Sequence, residues 1–590
     1  MKILIVALAA ASIASFSVMP AFAAPAAPSN VWNFDDTAIT AVPSAFRGTI
    51  TASNITAEDG LTVAAYQLVD GKYQAYGAET KLIGYAANTG VTISNLEEPT
   101  ASEIADVAAK VNAQQLILPN VKMSLDSGNY TAQVEPGLYL ILVTGSNTKI
   151  YNPAIVALNV NDTATGKSAT NPSVSFNDYF DYPSNAYLKS QAEPTISKTV
   201  VDSSENNQGD TVAYGDSVSF KIESKIPSYS ELYKDDSLVF DITDTMASAF
   251  EGVTSLAVKV GTTTNVPATS GADKTYTVTY YTDSTLTEVA AADKAKAFKI
   301  SFDKSYIRDN GNLGVEVTYS TTFKGDGNVN FAENKNSVSL KYTNSPEVDT
   351  HGEPVDPGET KDNTYHYTFG INANIDGQDE TQPNPGDATF TPIIKKVEKD
   401  GEVTDPDTGV TTTTYKALAG AKFGLFTDSS TTNLIKDSTS DDKGNIQFLG
   451  LDEGTYYLKE LEAPGGYSLS DNIYKIVIDA SLNATTGVLE SYSITTYDVT
   501  NADDKATDIT NQIGTASFTN TGTISATDGS VTNEIAPSTI TTAEILNTKL
   551  ASLPATGGAG TIAITVGASL GMAAFLTVHV VNKKKQKEND

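Results

Sequence analysis

Val315-Glu316-Val317-Thr318-Tyr319 and Tyr276-Thr277-Val278-Thr279-Tyr280 set apolar and polar residues in alternation. In an extended chain successive side chains point to opposite faces, so each stretch reads as a strand with one buried and one wet face. Short runs rich in Val, Ile, Thr, Tyr and Phe, separated by Gly, Asn, Asp and Ser clusters, recur along the chain. That rhythm predicts an all-β protein made of antiparallel sandwiches in a row. The clearest helical stretch is Ala101 to Ala113, one short helix with Thr100 or Ser102 as its cap.

At 590 residues the chain has room for roughly three to five domains. Composition shifts suggest where they divide. Residues 183–195 (PSNAYLKSQAEPT) read as a linker, and 345–363 and 377–389 carry repeated Pro and Gly punctuation. The expected plan is a first domain at 25–190, a second at 191–350, a linker at 351–363 and a third at 364–552. A weak repeat links the first and third domains: Gly137-Leu138-Tyr139-Leu140-Ile141-Leu142-Val143 aligns with Gly454-Thr455-Tyr456-Tyr457-Leu458-Lys459-Glu460, each after an acidic turn.

Composition removes several functions. Asp and Glu number 71 against 39 Lys and Arg, a net charge of −32, which repels phosphate backbones and argues against nucleic acid. Cysteine is absent, so disulfides, thiolate metal sites and Cys nucleophiles are excluded. Three His (His351, His366 and His579) leave little scope for a His-based triad or a multi-His metal centre. No metal and no cofactor is expected. Gly567 to Gly571 fits G-x-S-x-G but lies in an apolar tail, not at a strand-to-helix elbow. The acidic turns at Asp405-Pro406-Asp407 and Asp441-Asp442 read as solvated turns, because EF-hand ligand spacing is missing.

The two ends set the compartment. Residues 1–24 combine Lys2, an apolar run and Ala21-Phe22-Ala23, the pattern of a cleaved secretory signal. Residues 558–590 run from an apolar span long enough for a bilayer into Asn582-Lys583-Lys584-Lys585. Just before them stands Leu553-Pro554-Ala555-Thr556-Gly557. LPxTG, span and basic tail in this order resemble the sorting signal of Gram-positive surface proteins. The resemblance implies that a sortase cuts between Thr556 and Gly557 and passes the Thr556 carbonyl to an amine. The mature chain would then sit in the cell wall without its span.

Strand parity exposes an anomaly. Tyr456, Leu458 and Glu460 share a face, as do Ile394 and Lys396, and Ile545 and Asn547. In the second domain Ile196, Lys198 and Val200 share a face; so do Leu238, Phe240, Ile242 and Asp244, and Val338, Leu340, Tyr342 and Asn344. Each domain thus sets one Lys, one carboxylic acid and one Asn on apolar faces, where an unpaired charge costs several kcal/mol. A buried ion pair beside a hydrogen-bonded Asn is one reading, and strand ends reaching solvent is another. A third is chemistry. Desolvation favours the neutral amine and the protonated acid. A neutral Lys is a nucleophile, and an acid can polarise the Asn amide and pass a proton to departing ammonia. The product is a Lys–Asn isopeptide bond.

Here the resemblance becomes specific. Residues 454–467, GTYYLKELEAPGGY, look like the E-box of Gram-positive backbone pilins, with Glu460 as its acid. LAGAKF at 418–423 and Leu546-Asn547-Thr548-Lys549 match the same family. Pro194 to Val200, Asp241 to Thr245 and Tyr342-Thr343-Asn344-Ser345-Pro346 resemble its isopeptide-forming domain. The resemblance implies immunoglobulin-like, Cna-type sandwiches. It implies Lys198–Asn344 with Asp244 and Lys396–Asn547 with Glu460 as the bonded sets. Lys395, Asn533 and Asp241 are the fallback residues. It also implies an acceptor for polymerisation near the end of the first domain, where Lys189 in Ala186-Tyr187-Leu188-Lys189 is the candidate and Lys167 the runner-up.

On that reading the chain is a major pilin, not an enzyme. Its expected partners are sortase, identical subunits in a covalent head-to-tail polymer, peptidoglycan, minor pilins and host surface ligands. The alternative is an accessory or tip adhesin, which needs the donor Thr556 but no acceptor Lys. In the first domain Val143 stands where Glu460 stands, and the matching entry strand offers Arg47, which stays charged and cannot attack. That domain is expected to lack an internal bond and to be the most labile.

Overall fold

The computed structural model describes residues 47–550, apart from 77–78, 112–114, 160–179, 202–207, 266–274, 283–284, 286, 326, 356, 374–390, 501–510, 527–528 and 536–538. The expected signal peptide, the LPATG motif, the apolar span, Lys167 and the punctuated stretch 377–389 lie outside the described residues. No helix among the described residues is long and apolar enough to cross a membrane.

The chain is nearly all β, in sheets stacked as sandwiches. In the first domain one sheet orders Asn185–Tyr187, Gly48–Ser53, Asn129–Val134 and Ser124–Asp126. The other orders Glu79–Ala87, Thr62–Tyr76, Gly137–Thr144 and Ala154–Leu158. Gly137–Thr144 is an unbroken apolar run because both its faces are covered. Tyr139, Ile141 and Val143 join the core between the sheets. Leu138, Leu140 and Leu142 meet Ile104, Val107 and Ala108 of the helix Ala101–Lys110. That helix starts at Thr100 with a capping box, Thr100 accepting from the Glu103 amide and Glu103 answering.

The second domain stacks a five-stranded sheet on a seven-stranded one. The first runs Ser197–Val200, Ser217–Lys225, Gly314–Phe323, Phe250–Val260 and Thr263–Asn265. The second is centred on Gly358–Tyr367, Asn334–Tyr342, Phe240–Met246 and Ala297–Phe302. In the third domain a three-stranded sheet, Thr411–Ala417, Ile394–Thr404 and Ala543–Asn547, faces a seven-stranded sheet that includes Lys422–Phe426, Gly454–Glu462 and Ile473–Leu482.

Two expected linkers are instead strands. Within 183–195, Asn185–Tyr187 pairs in parallel with Gly48–Ser53, and Ser190–Ala192 pairs with Lys149–Tyr151. Within 351–363, residues 358–363 begin the strand Gly358–Tyr367, which pairs with Asn334–Tyr342 along its whole length. This polar segment was legible only as punctuation, because its first six residues are polar or glycine, none of them buried, and its main chain supplies the pairing. The second domain therefore runs past residue 364. The chain enters the third domain almost at once, since Phe369–Ile371 pairs with Phe448–Leu451. At the same junction a Cβ on Gly209 would meet the Gly487 carbonyl oxygen at 2.2 Å, so only glycine allows this backbone approach.

Candidate functional site

In the third domain the parallel pairing of Ile394–Thr404 with Ala543–Asn547 sets Lys396 beside Ile545 and Glu398 beside Asn547. Lys396 and Asn547 therefore point to the same face, two residues apart in register. Glu460 reaches them from the opposite sheet. Lys396 Nζ donates to Asn547 Oδ1 at 2.6 Å. Asn547 Nδ2 donates to Glu460 Oε1 at 2.8 Å, and the Lys396–Glu460 separation is 3.7 Å. All three are buried, with Lys396 0% exposed. Glu460 Oε2 accepts the Ser470 amide at 2.9 Å, which fixes the carboxyl plane. Burial pulls the Lys396 amine down to about 8, partly offset by Glu460, and the Phe423 ring lies 5.3 Å from Nζ. The fallback residues lie apart from this set. Lys395 alternates to the other parity, and Asn533 donates to the Phe331 carbonyl at 2.9 Å at the junction with the second domain.

The second-domain site spans the two sheets of its sandwich. Lys198 comes from the edge strand of the five-stranded sheet and Asp244 from the seven-stranded sheet. Their side chains form a fully buried ion pair. Burial pushes the Lys198 amine down to about 8, with Asp244 opposing that shift. Burial also raises the Asp244 acid, with Lys198 opposing. The Phe220 and Tyr319 rings stand 4.8 and 5.2 Å from Lys198 Nζ.

The expected amide partner is elsewhere. Asn344 lies past the end of its strand, half-buried, and donates to the Ser146 carbonyl at 3.2 Å and to Glu193 at 3.3 Å. It belongs to the contact between the first and second domains. The residue at the site is Asn336, on the same face of the same strand. The antiparallel register sets Asn336 opposite Met246 and Val338 opposite Asp244. Asn344 lies six positions along the chain from Val338, the residue opposite Asp244, and at about 3.3 Å each these carry it far from the acid. Asn336 is 0% exposed, and its Nδ2 donates to the Tyr319 hydroxyl at 2.8 Å. Tyr319 completes the cluster: it accepts from Lys198 Nζ at 2.8 Å and donates to Asp244 Oδ1 at 2.8 Å. Parity placed Tyr319 inward, but no local signal in the sequence aims its hydroxyl at the pair. Asp241, the fallback acid, faces the other way and pairs with Lys299 at 2.6 Å.

His366 is also buried near Lys198, packed edge-on against Phe220 and Phe250, and burial holds it neutral with a pKa of about 3.

Lys189 sits between the last two strands of the first domain. Leu188 is fully buried, its amide donates to the Ser53 carbonyl at 3.1 Å, and Asn54 donates to the Leu188 carbonyl at 2.7 Å. Asn152 donates to the Lys189 carbonyl at 2.9 Å. The main chain is thus tied on both sides while the Lys189 side chain is exposed. At the other end Lys549 pairs with Glu398 at 2.7 Å, and the Tyr467 hydroxyl donates to the same carboxyl oxygen at 2.7 Å. The Leu550 amide donates to the Gly466 carbonyl at 2.9 Å. These contacts secure the chain three residues before Leu553. In the first domain the buried polar residues among those described are Gln67, Glu135 and Ser146, with no buried Lys. Val143 lies in the sandwich core.

Three family models match. Residues 47–190 match a T6 antigen Ig-like domain, 408–492 a prealbumin-like fold domain, and 545–589 an LPXTG cell wall anchor motif. The trypsin-resistant surface T6 protein of Streptococcus pyogenes serotype M6 is 25% identical over 559 residues, covering 90% of this chain and 94% of that one. The solved structure of the T6 backbone pilin from the same serotype, described as modular and three-domained, aligns with a TM-score of 0.53 at 20% identity. The alignment covers 85% of this chain and 98% of that one.

Fold, domain order and anchor motif together define a cell-wall-anchored surface protein built from sandwich modules. Within that class the chain is similar to Gram-positive major pilins that carry an LPXTG anchor.

Proposed function

We propose that this chain is a pilus shaft subunit that cross-links itself twice, Lys198 to Asn336 with Asp244 as the acid, and Lys396 to Asn547 with Glu460. The observation that carries this reading is the contact of Lys396 Nζ with the Asn547 amide, with a buried carboxyl on that same amide. In each reaction the amine gives a proton to the acid and attacks the amide carbon. The Nζ–Cγ bond forms, the Cγ–Nδ2 bond breaks, and ammonia leaves with a proton returned by the acid. Fixed proximity in a dry site supplies much of the rate, and each site reacts once. The T6 relative is described as trypsin-resistant, a property that internal amide ties would confer on a chain without cysteine.

Polymerisation follows from the ends. Sortase would transfer the Thr556 carbonyl of one subunit to the Lys189 amine of the next, and the basal subunit to peptidoglycan. The exposed Lys189 on a fixed main chain supports the acceptor role. The test is intact mass of the mature chain, which should be two ammonias below the sequence mass, with fragment spectra naming the bonded residues. A mass equal to the sequence mass overturns the reading.

A further inference from the structure

The two sites differ in one respect. In the third domain the Lys, the amide and the acid touch directly. In the second, Lys198 and Asp244 touch directly and the Tyr319 hydroxyl stands between that pair and the amide: it contacts Lys198 Nζ, Asp244 Oδ1 and Asn336 Nδ2, each at 2.8 Å. We propose that Tyr319 is a fourth catalytic residue of the second-domain site, a relay that carries the proton from Asp244 to the departing nitrogen of Asn336. This inference rests on the self-cross-linking proposed above.

The geometry assigns each atom a task. Asp244 Oδ2 faces Lys198 and Asp244 Oδ1 faces Tyr319. Asn336 Nδ2 is held by the Tyr319 hydroxyl, while its Oδ1 is buried with no hydrogen-bond partner among the described residues. The amide is therefore activated through its nitrogen. Lys198 first gives a proton to Asp244, leaving a neutral amine and a carboxylic acid. The acid then donates to the Tyr319 oxygen, and the Tyr319 hydrogen turns toward Nδ2. Proton donation to an amide nitrogen weakens its resonance and makes Cγ electrophilic. Nζ attacks Cγ, and Nδ2 leaves as ammonia with the hydrogen from Tyr319. Asp244 resupplies Tyr319 and takes the second proton of Nζ. Every proton is accounted for within these four side chains.

The ring itself is fixed, stacked on Phe220 at 5.2 Å and edge-on to Phe298 at 4.9 Å. Tyr319→Phe therefore removes the relay and keeps the packing. The experiment is cell-free synthesis of the full mature chain, sampled over time and digested, counting the two cross-linked peptide pairs by mass spectrometry. Tyr319→Phe should slow the Lys198–Asn336 pair by about a hundredfold or more, in the range general acid catalysis supplies, with the Lys396–Asn547 pair unchanged as internal control. Replacement of Tyr319 by 3-fluorotyrosine keeps ring and hydroxyl but makes the phenol more acidic. It should alter the second-domain rate alone, and it settles the matter if the Phe variant does not fold. A wild-type rate for the second-domain bond in the folded Phe variant, or in the fluorinated chain, overturns the relay. Absence of that bond in the wild-type chain would instead overturn the cross-linking reading.

Discussion

Lys396 Nζ stands 2.6 Å from the Asn547 Oδ1, although the two residues lie 151 positions apart. They occupy the strands Ile394–Thr404 and Ala543–Asn547, paired in parallel, with Glu460 facing them from the other sheet. An amide between them would close the domain into a ring. On the cross-link entropy model that closure is worth about 5 kcal/mol.

Single substitutions should separate the two bonds. Glu460→Ala should restore one ammonia to the intact mass and leave the Lys198 cross-link formed. Asp244→Asn should do the converse. Fragment spectra of each variant identify the bond that survives.

Asn336 and Asn344 can be told apart directly. Asn336→Ala should abolish the Lys198 cross-link, while Asn344→Ala should leave it at the wild-type level. Asn344→Ala removes instead a contact between the first two domains, so its effect should appear in thermal unfolding as a small loss of about 1 kcal/mol.

Lys189→Ala should convert the covalent ladder of wall extracts into a single band on an immunoblot, leaving both internal cross-links intact. Lys167→Ala should leave the ladder unchanged. A ladder that persists without Lys189 removes it as the acceptor.

Asp210 gives a pH dependence at the junction of the second and third domains. Burial, with Asp452 as the next cause, raises its carboxyl to about 7 from an ordinary 3.8. Between those values the folded chain binds a proton that the unfolded chain releases. This contribution is therefore fully present below about pH 4 and is lost as pH rises through 7. Asp210→Asn should stabilise the fold at pH 8 by about 1–2 kcal/mol after allowance for solvent screening, read as a higher melting temperature, and change nothing near pH 4. Equal effects at both pH values would rule out titration as the cause.

The first domain, with no buried Lys–acid–Asn set among its described residues, relies on burial alone. Hydrogen exchange should show amides of Gly48–Ser53 and Asn129–Val134 opening faster than those of Ser217–Lys225 and Ile473–Leu482. A cross-linked peptide mapping inside 47–192 would overturn this expectation.

The sequence by itself determined the β alternation, the inward faces and the capped helix, because each follows from a period of two or a turn of helix within a few residues. It also determined that Lys396, Glu460 and Asn547 face inward, since each sits beside apolar residues of its own parity. Tertiary structure decided the rest. Parity names a face but not a position along it, so Asn336 and Asn344 were equivalent until the pairing set Asn336 opposite Met246. Gly358–Tyr367 became a strand because Asn334–Tyr342 offered it a full edge of hydrogen bonds, although its own residues read as a linker. Tyr319 joined the site because two sheets stack and bring its hydroxyl between Lys198, Asp244 and Asn336. Register and stacking are contacts between distant segments, and no local stretch of sequence carries them.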